Sequence, residues 1–204
     1  SEMINSKETQ AEILLQSIAD GVIVTDTGGV VTMINKSAAK IAAWPEKEAI
    51  NFDARPILRL IGDEKTGELI SDEDHPISQV LRMRKPFSKT LRMIDRNNKK
   101  IYVSLVVSPV VVPDNDSLVG AVAVLRDVSA EKGEEQRRAE FISTASHEMR
   151  TPVAAIEGYL ALALNDKVST IDSKARDYLD KAHKSTQHLG KLFQDLLTSA
   201  KAED

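Results

Sequence analysis

Between Ala130 and Asp204 the chain carries one proline, at 152, and glycines only at 133, 158 and 190. So few breakers over such a length exclude a succession of short strands and turns, and the segment reads as helix. Its apolar residues keep helical spacing: Ile142, Ala145, Met149, Ile156, Tyr159 and Ala163 form one stripe, with Val153 and Leu160 beside it. Asn165-Asp166-Lys167 breaks the pattern, and Ser169 with Asp172 looks like a capping box for a second helix. A second stripe then runs through Ala175, Leu179, Ala182, Thr186, Leu189, Phe193, Leu196 and Ala200 in alternating steps of four and three, which is a heptad seam. A helical hairpin of this size buries little by itself, so its wide apolar face needs a partner. Two copies would make a four-helix bundle.

Upstream of residue 128 the character differs. Ala11 to Ile18 has helical spacing, Val22 to Thr25 and Val30 to Ile34 read as strands, and Asp26-Thr27-Gly28-Gly29 is the turn between them. Pro45 and Pro56 break Asn35 to Ile61 into short helical pieces that Gly62 ends, and Pro76 suits the first turn of a helix through Arg84. Three β-rich runs follow, Ser88–Ile94, Lys99–Val111 and Leu118–Arg126. Sequential hairpins imply an antiparallel sheet of five strands with the helices gathered on one face, an α+β domain. The whole chain of 204 residues is then expected to hold an α+β domain over 9–128, a linking helix over 129–140 and an all-α hairpin over 141–204. The charged run 131–140 is expected to be helical, because acidic and basic residues interleave in it.

Charge and composition exclude several functions. A net charge of −4 and only 4% aromatic residues argue against nucleic-acid binding, which needs a basic excess and stacking surfaces. With no cysteine there is no disulfide, no thiolate metal site and no cysteinyl adduct with a flavin. No apolar run approaches the ~20 residues of a spanning helix, and the polar start SEMINSKETQ is not a signal peptide. A cytoplasmic location is expected, as a piece cut from a longer protein with an anchor elsewhere or none.

The chemistry sits on the first long helix. At about 100° per residue, His147 lies about 200° from both Ala145 and Met149, so it points away from the stripe into water. Thr151 follows four residues later on the same side, Glu148 is adjacent, and Pro152 should kink the helix one turn beyond the histidine. An exposed neutral imidazole is a good nucleophile toward phosphorus, and a carboxylate can accept its ring proton. A lone exposed histidine is ordinarily a solvated side chain; the string around this one decides otherwise.

Phe141-Ile142-Ser143-Thr144-Ala145-Ser146-His147-Glu148-Met149-Arg150-Thr151-Pro152 closely resembles the phosphoacceptor box of sensor histidine kinases, His-Glu-hydrophobic-Arg-Thr-Pro, at all six box positions. The resemblance extends through Val153, Gly158 and Tyr159 to Leu189, Asp195-Leu196-Leu197 and Ala200-Lys201-Ala202-Glu203, and covers residues 139–204. It implies that His147 is the phosphoacceptor, attacking the γ-phosphate of ATP through Nε2. It implies Glu148 as general base or orienting acid, and Thr151 as the residue that positions water when the partner regulator is dephosphorylated. Residues 9–128 resemble a PAS sensor domain, on Asp20-Gly21-Val22, Asn35 with Ala38-Ala39, Trp44, Gly120-Ala121, and the closing Arg126-Asp127-Val128-Ser129. Two departures stand out: Ala43 replaces the usual glycine before the aromatic, and Asn97-Asn98-Lys99 replaces an Asp-Gly turn.

The expectation is therefore the sensor and phosphoacceptor portion of a two-component histidine kinase. It forms a homodimer and meets a response regulator and the ATP-binding domain of its own kinase. ATP and Mg are expected on that domain, since none of the nine glycines here forms a phosphate-cradling loop, and the chain is not expected to phosphorylate itself alone. The alternatives are a stand-alone phosphotransfer or scaffold protein, and a PAS ligand-binding dimerisation module. His75 before Pro76 is expected in the loop ahead of the last PAS helix without a haem, Trp44 in the core rather than on a flavin, and His183 and His188 on a solvated face. The PAS ligand is left unidentified.

Overall fold

The computed structural model describes residues 2–202, and the side chains of residues 9–202. The elements are α1 (Glu2–Ser17), β1 (Gly21–Asp26), β2 (Val31–Ile34), α2 (Lys36–Ala42), α3 (Glu46–Ala49), α4 (Ala54–Ile57), β3 (Arg59–Asp63), β4 (Glu68–Leu69), α5 (Pro76–Met83), β5 (Phe87–Ile94), β6 (Lys100–Val111), β7 (Leu118–Asp127), α6 (Ser129–Leu164) and α7 (Ser173–Ala202). They fall into two compact units, Ser1–Lys132 and Gly133–Asp204. Glu203, the last residue of the matching string, lies outside the described residues.

The first unit is built on an antiparallel sheet of order β2-β1-β7-β6-β5-β3-β4. The five expected strands are its first five in that order. Two more, β3 and β4, extend one edge and correct the reading of Arg59–Ile61 as helical. Helix α4 stops at Ile57, and Leu60 then pairs with Met93 of β5, burying Leu60 and Ile61 almost completely. An apolar run of Ile57-Leu58 and Leu60-Ile61 split by one arginine suits a short helix or a strand equally, and the free edge of β5 settles it.

Along β6 every second residue, Ile101, Val103, Leu105 and Val107, is buried, as the two-residue period of a strand requires. These meet Ala121, Ala123 and Leu125 of β7 and Ile23 of β1, and the other side of the core comes from Ala38, Ala42, Ile57, Ile77 and Val80 of the helices. The strands β1 and β7 approach so closely that a Cβ at Gly120 would stand 1.8 Å from the Thr25 carbonyl oxygen.

Asn35 organises the entry to this unit. It is 1% exposed, and its Oδ1 accepts from the N–H of Val22 and of Ala38, each at 2.9 Å, the latter capping α2. Its Nδ2 donates to the carbonyls of Leu15 at 3.1 Å and Asp20 at 3.0 Å. All four hydrogen-bonding positions of the buried amide are thereby used. The two departures from the PAS pattern now have a backbone meaning. Ala43 ends α2 with φ 56°, and Asn98 sits in the turn before β6 with φ 63°, both in the left-handed region that glycine adopts freely.

At the end of the sheet, Val128 N–H donates to the Tyr102 carbonyl at 2.8 Å and Tyr102 N–H donates to Ser129 Oγ at 2.9 Å. Asp127 Oδ1 accepts from Ser129 N–H at 2.9 Å and starts α6.

In the second unit the charged run is helical within α6, and α6 and α7 run antiparallel. Arg150 Nη2 donates to Gln194 Oε1 at 2.8 Å, Val153 Cγ1 lies 3.6 Å from the position a Cβ would take on Gly190, and Arg176 Nη1 caps the Leu164 carbonyl at 2.9 Å. Arg176 also pairs with Asp166 in the loop. The cap of α7 is Asp172, whose Oδ1 accepts from Ala175 N–H at 2.7 Å; Ser169 does not open the helix, because Asn165 already closes a turn with Val168 and Ser169.

Candidate functional site

The deepest layers of the helical hairpin fix which face of α6 is free. Ser146 is 2% and Val153 7% exposed, and on α7 Leu197 and Ala200 are equally enclosed. The expected stripe through Met149, Ile156 and Tyr159 is not this seam: those side chains are about half exposed or more within one chain, as are Leu189 and Leu196 of α7. Met149 is rotated by about 60° from Ser146, so the helix carries two apolar faces side by side, and periodicity alone merges them.

His147 follows Ser146 by about 100° on the other flank and is exposed, as are Glu148, Thr151 and Pro152. Thr151 lies one turn beyond His147 on the same side. The burial of Ser146 against the second helix aims the imidazole outward. Pro152 has no N–H to offer the Glu148 carbonyl, and α6 nevertheless continues through it to Leu164. Of the other histidines of the hairpin, His188 is exposed and His183 is half-buried.

Sequence reasoning missed the Arg150–Gln194 bond and the packing of Val153 on Gly190. A glycine in the middle of a helix was the available signal for the second.

In the first unit His75 is 2% exposed and caps α5. Its Nδ1 accepts from Ile77 N–H at 3.2 Å, which leaves Nε2 protonated and donating to the Leu58 carbonyl at 2.8 Å. Burial holds its pKa below the ordinary value. With both ring nitrogens used by the backbone, His75 has none to give to a haem iron. Trp44 packs on Phe52 with ring centroids 5.2 Å apart and carries the Arg96 guanidinium 4.2 Å above its own ring, so a flavin has no free face there. An open cleft of about 480 Å³ lies between the β3–β4 hairpin and α5, with Ile70, Phe87 and Leu91 on its floor and Asp63, Asp74 and Lys89 on its rim. Among the described residues no group of three or more acidic or histidine side chains could hold a metal ion, and no helix is long and apolar enough to cross a membrane.

Residues 10–128 match the PAS fold, and residues 137–204 match the His Kinase A phospho-acceptor domain. The chain belongs to the PAS family, with a His Kinase A phospho-acceptor domain behind the PAS domain. This PAS–HisKA chain is 25% identical over 199 residues to the sensor protein kinase WalK of Staphylococcus haemolyticus, a match covering 98% of the chain and 30% of that protein. It is 24% identical to a WalK of Staphylococcus aureus, covering 98% of the chain and 44% of that protein. The chain thus spans less than half the length of these relatives. An RNA-binding light-oxygen-voltage receptor superposes with a TM-score of 0.52 at 12% identity, over 69% of this chain and 38% of that one, a likeness of fold. HisKA domains dimerise and pass phosphate to regulators, and no ATP-binding domain is matched in the chain.

Proposed function

We propose that the chain is the sensor and phosphoacceptor portion of a two-component histidine kinase, with the PAS sensor over 9–128, a signalling helix over 129–140 and the phosphotransfer hairpin over 141–204. The observation that carries this is the exposure of His147, Glu148 and Thr151 on a helix whose neighbouring residue, Ser146, is sealed inside the hairpin. In the reaction Nε2 of neutral His147 attacks the γ-phosphorus of ATP, a P–N bond forms, and the bond to the ADP oxygen breaks. The Glu148 carboxylate takes up the positive charge left on the ring by accepting its Nδ1 proton in a hydrogen bond. ATP with its Mg is brought by the ATP-binding domain of the same kinase. The phosphoryl group then passes to an aspartate of a response regulator, and Thr151 orients the water that later removes it. The second apolar face, with Met149, Ile156, Leu189 and Leu196, is where a second copy docks to give a four-helix bundle in the cytoplasm.

Mixed with ATP and the matching ATP-binding domain, the chain gains acid-labile, base-stable phosphate at His147, and His147→Gln abolishes it without disturbing the fold. Label that persists in this variant moves the acceptor to His183 or His188 and ends the assignment. With the regulator added, Thr151→Ala slows dephosphorylation and leaves uptake at His147 unchanged; equal loss of both rates removes the water-positioning role.

A further inference from the structure

We propose that Gln194 is a positioning residue for the phosphoacceptor: through its bond to Arg150 it holds the His147 face of α6 in one of two geometries about Pro152. This rests on the reading of His147 given above.

In the hairpin Ser146, Val153 and Leu197 are buried, and Val153 packs on half-buried Gly190. Arg150 stands between them on α6, four residues after Ser146 and three before Val153. Gln194 stands in the equivalent place on α7, four residues after Gly190 and three before Leu197. At the exposed edge of this seam the two helices are tied by the 2.8 Å bond from Arg150 Nη2 to Gln194 Oε1. The bond is the side-chain tie between α6 and α7 nearest to Pro152. It also switches over a short distance, because a hydrogen bond is lost beyond about 3.5 Å while an aliphatic contact fades gradually.

That bond coincides with the weak point of the helix backbone. The Glu148 carbonyl has no donor at Pro152, so bending is localised between the two. Arg150 lies inside that interval, flanked on the exposed side by His147 and Thr151. A bend there carries Arg150 away from α7 and breaks the bond, and the same bend changes how His147 and Thr151 are presented. A bond made in only one of two forms shifts their populations by its differential free energy.

The test uses the whole chain. Phosphoryl uptake at His147 is measured with ATP and the ATP-binding domain supplied in trans, and amide hydrogen exchange is measured on the same protein. Gln194→Ala removes the acceptor; Gln194→Glu converts the bond to an ion pair. Exchange over residues 148–156 is expected to accelerate about two- to fivefold in the alanine variant and to slow in the glutamate variant, with uptake rates moving in opposite directions. Both effects should vanish on an Arg150→Met background. Uptake shifting in the same direction in both variants, or exchange that moves in neither, overturns the proposal. No uptake by the parent chain overturns the phosphoacceptor reading, and the exchange and double-variant measurements then decide the Arg150–Gln194 geometry independently.

Discussion

The Nε2–H of His75 is hydrogen-bonded to the carbonyl of Leu58, 2.8 Å away, so the residue that caps α5 also fastens it to the residue that ends α4. The two bonds together need a neutral ring, because Nδ1 must stay unprotonated to accept from Ile77 N–H.

Acid should therefore loosen the PAS unit. Burial lowers the folded pKa of His75 below the 6.5 of the free side chain, so the unfolded chain takes up the proton first. Stability from this residue is complete above pH 6.5 and falls as the pH drops from there toward the depressed folded value. One residue can contribute a slope of at most about 1.4 kcal/mol per pH unit. Urea titrations from pH 7.5 to 5 should show it, and His75→Gln should flatten it; an unchanged slope in that variant assigns the acid sensitivity elsewhere.

Asn35→Ala strands two buried N–H groups and two carbonyls, and is expected to cost about 3 kcal/mol in chemical denaturation. Asn35→Asp should be no better. It restores the acceptor for Val22 and Ala38 but sets an anion against the carbonyls of Leu15 and Asp20. If the aspartate variant matched the parent, the two Nδ2 bonds would carry no stability.

Ala43→Gly should stabilise the PAS unit. Ala43 holds φ 56° at the end of α2, a conformation that strains a side chain by about 1 kcal/mol and leaves glycine at ease. The melting temperature should rise by about 2–4 °C. A fall would mean that the alanine methyl packs for more than the backbone strain costs.

Leu189→Glu tests the second apolar face. Leu189 is 43% exposed in the single chain, so a carboxylate there leaves the hairpin seam intact and burdens only a face against another copy. Light scattering should give a dimer for the parent and about 22.4 kDa for the variant. A parent that is monomeric at micromolar concentration removes the proposed bundle.

Much of this was legible in the residues, for reasons that also explain the rest. The β1–β2 hairpin is written in Asp26, whose side chain closes the turn onto Gly28 and Val30. His147 is offset by about 200° from Ala145 and Met149 and by about 100° from buried Ser146, so it faces outward whichever of the two faces the same chain covers. The strand at Arg59–Asp63 was hidden because its identity depends on β5, a partner some thirty residues away. The wide apolar face of α6 was legible, but not which part of it the same chain covers, because Met149, Ile156 and Tyr159 are as apolar as Val153 and spacing does not separate them. Asp172 and Ser169 are both good caps in isolation. The loop bonds of Asn165 decide between them.

Tyr102 has a consequence of a mechanical kind. Its carbonyl and N–H take Val128 and Ser129 as though the sheet had one more rung, yet Ser129 is already the first residue of α6. A loop at this point would behave as slack cable, absorbing small displacements before passing any on. No cable separates β6 from the first turn of α6; the joint has the compliance of two hydrogen bonds. A movement of that strand by a fraction of an ångström therefore reaches the helix start undamped, like a gear train without backlash.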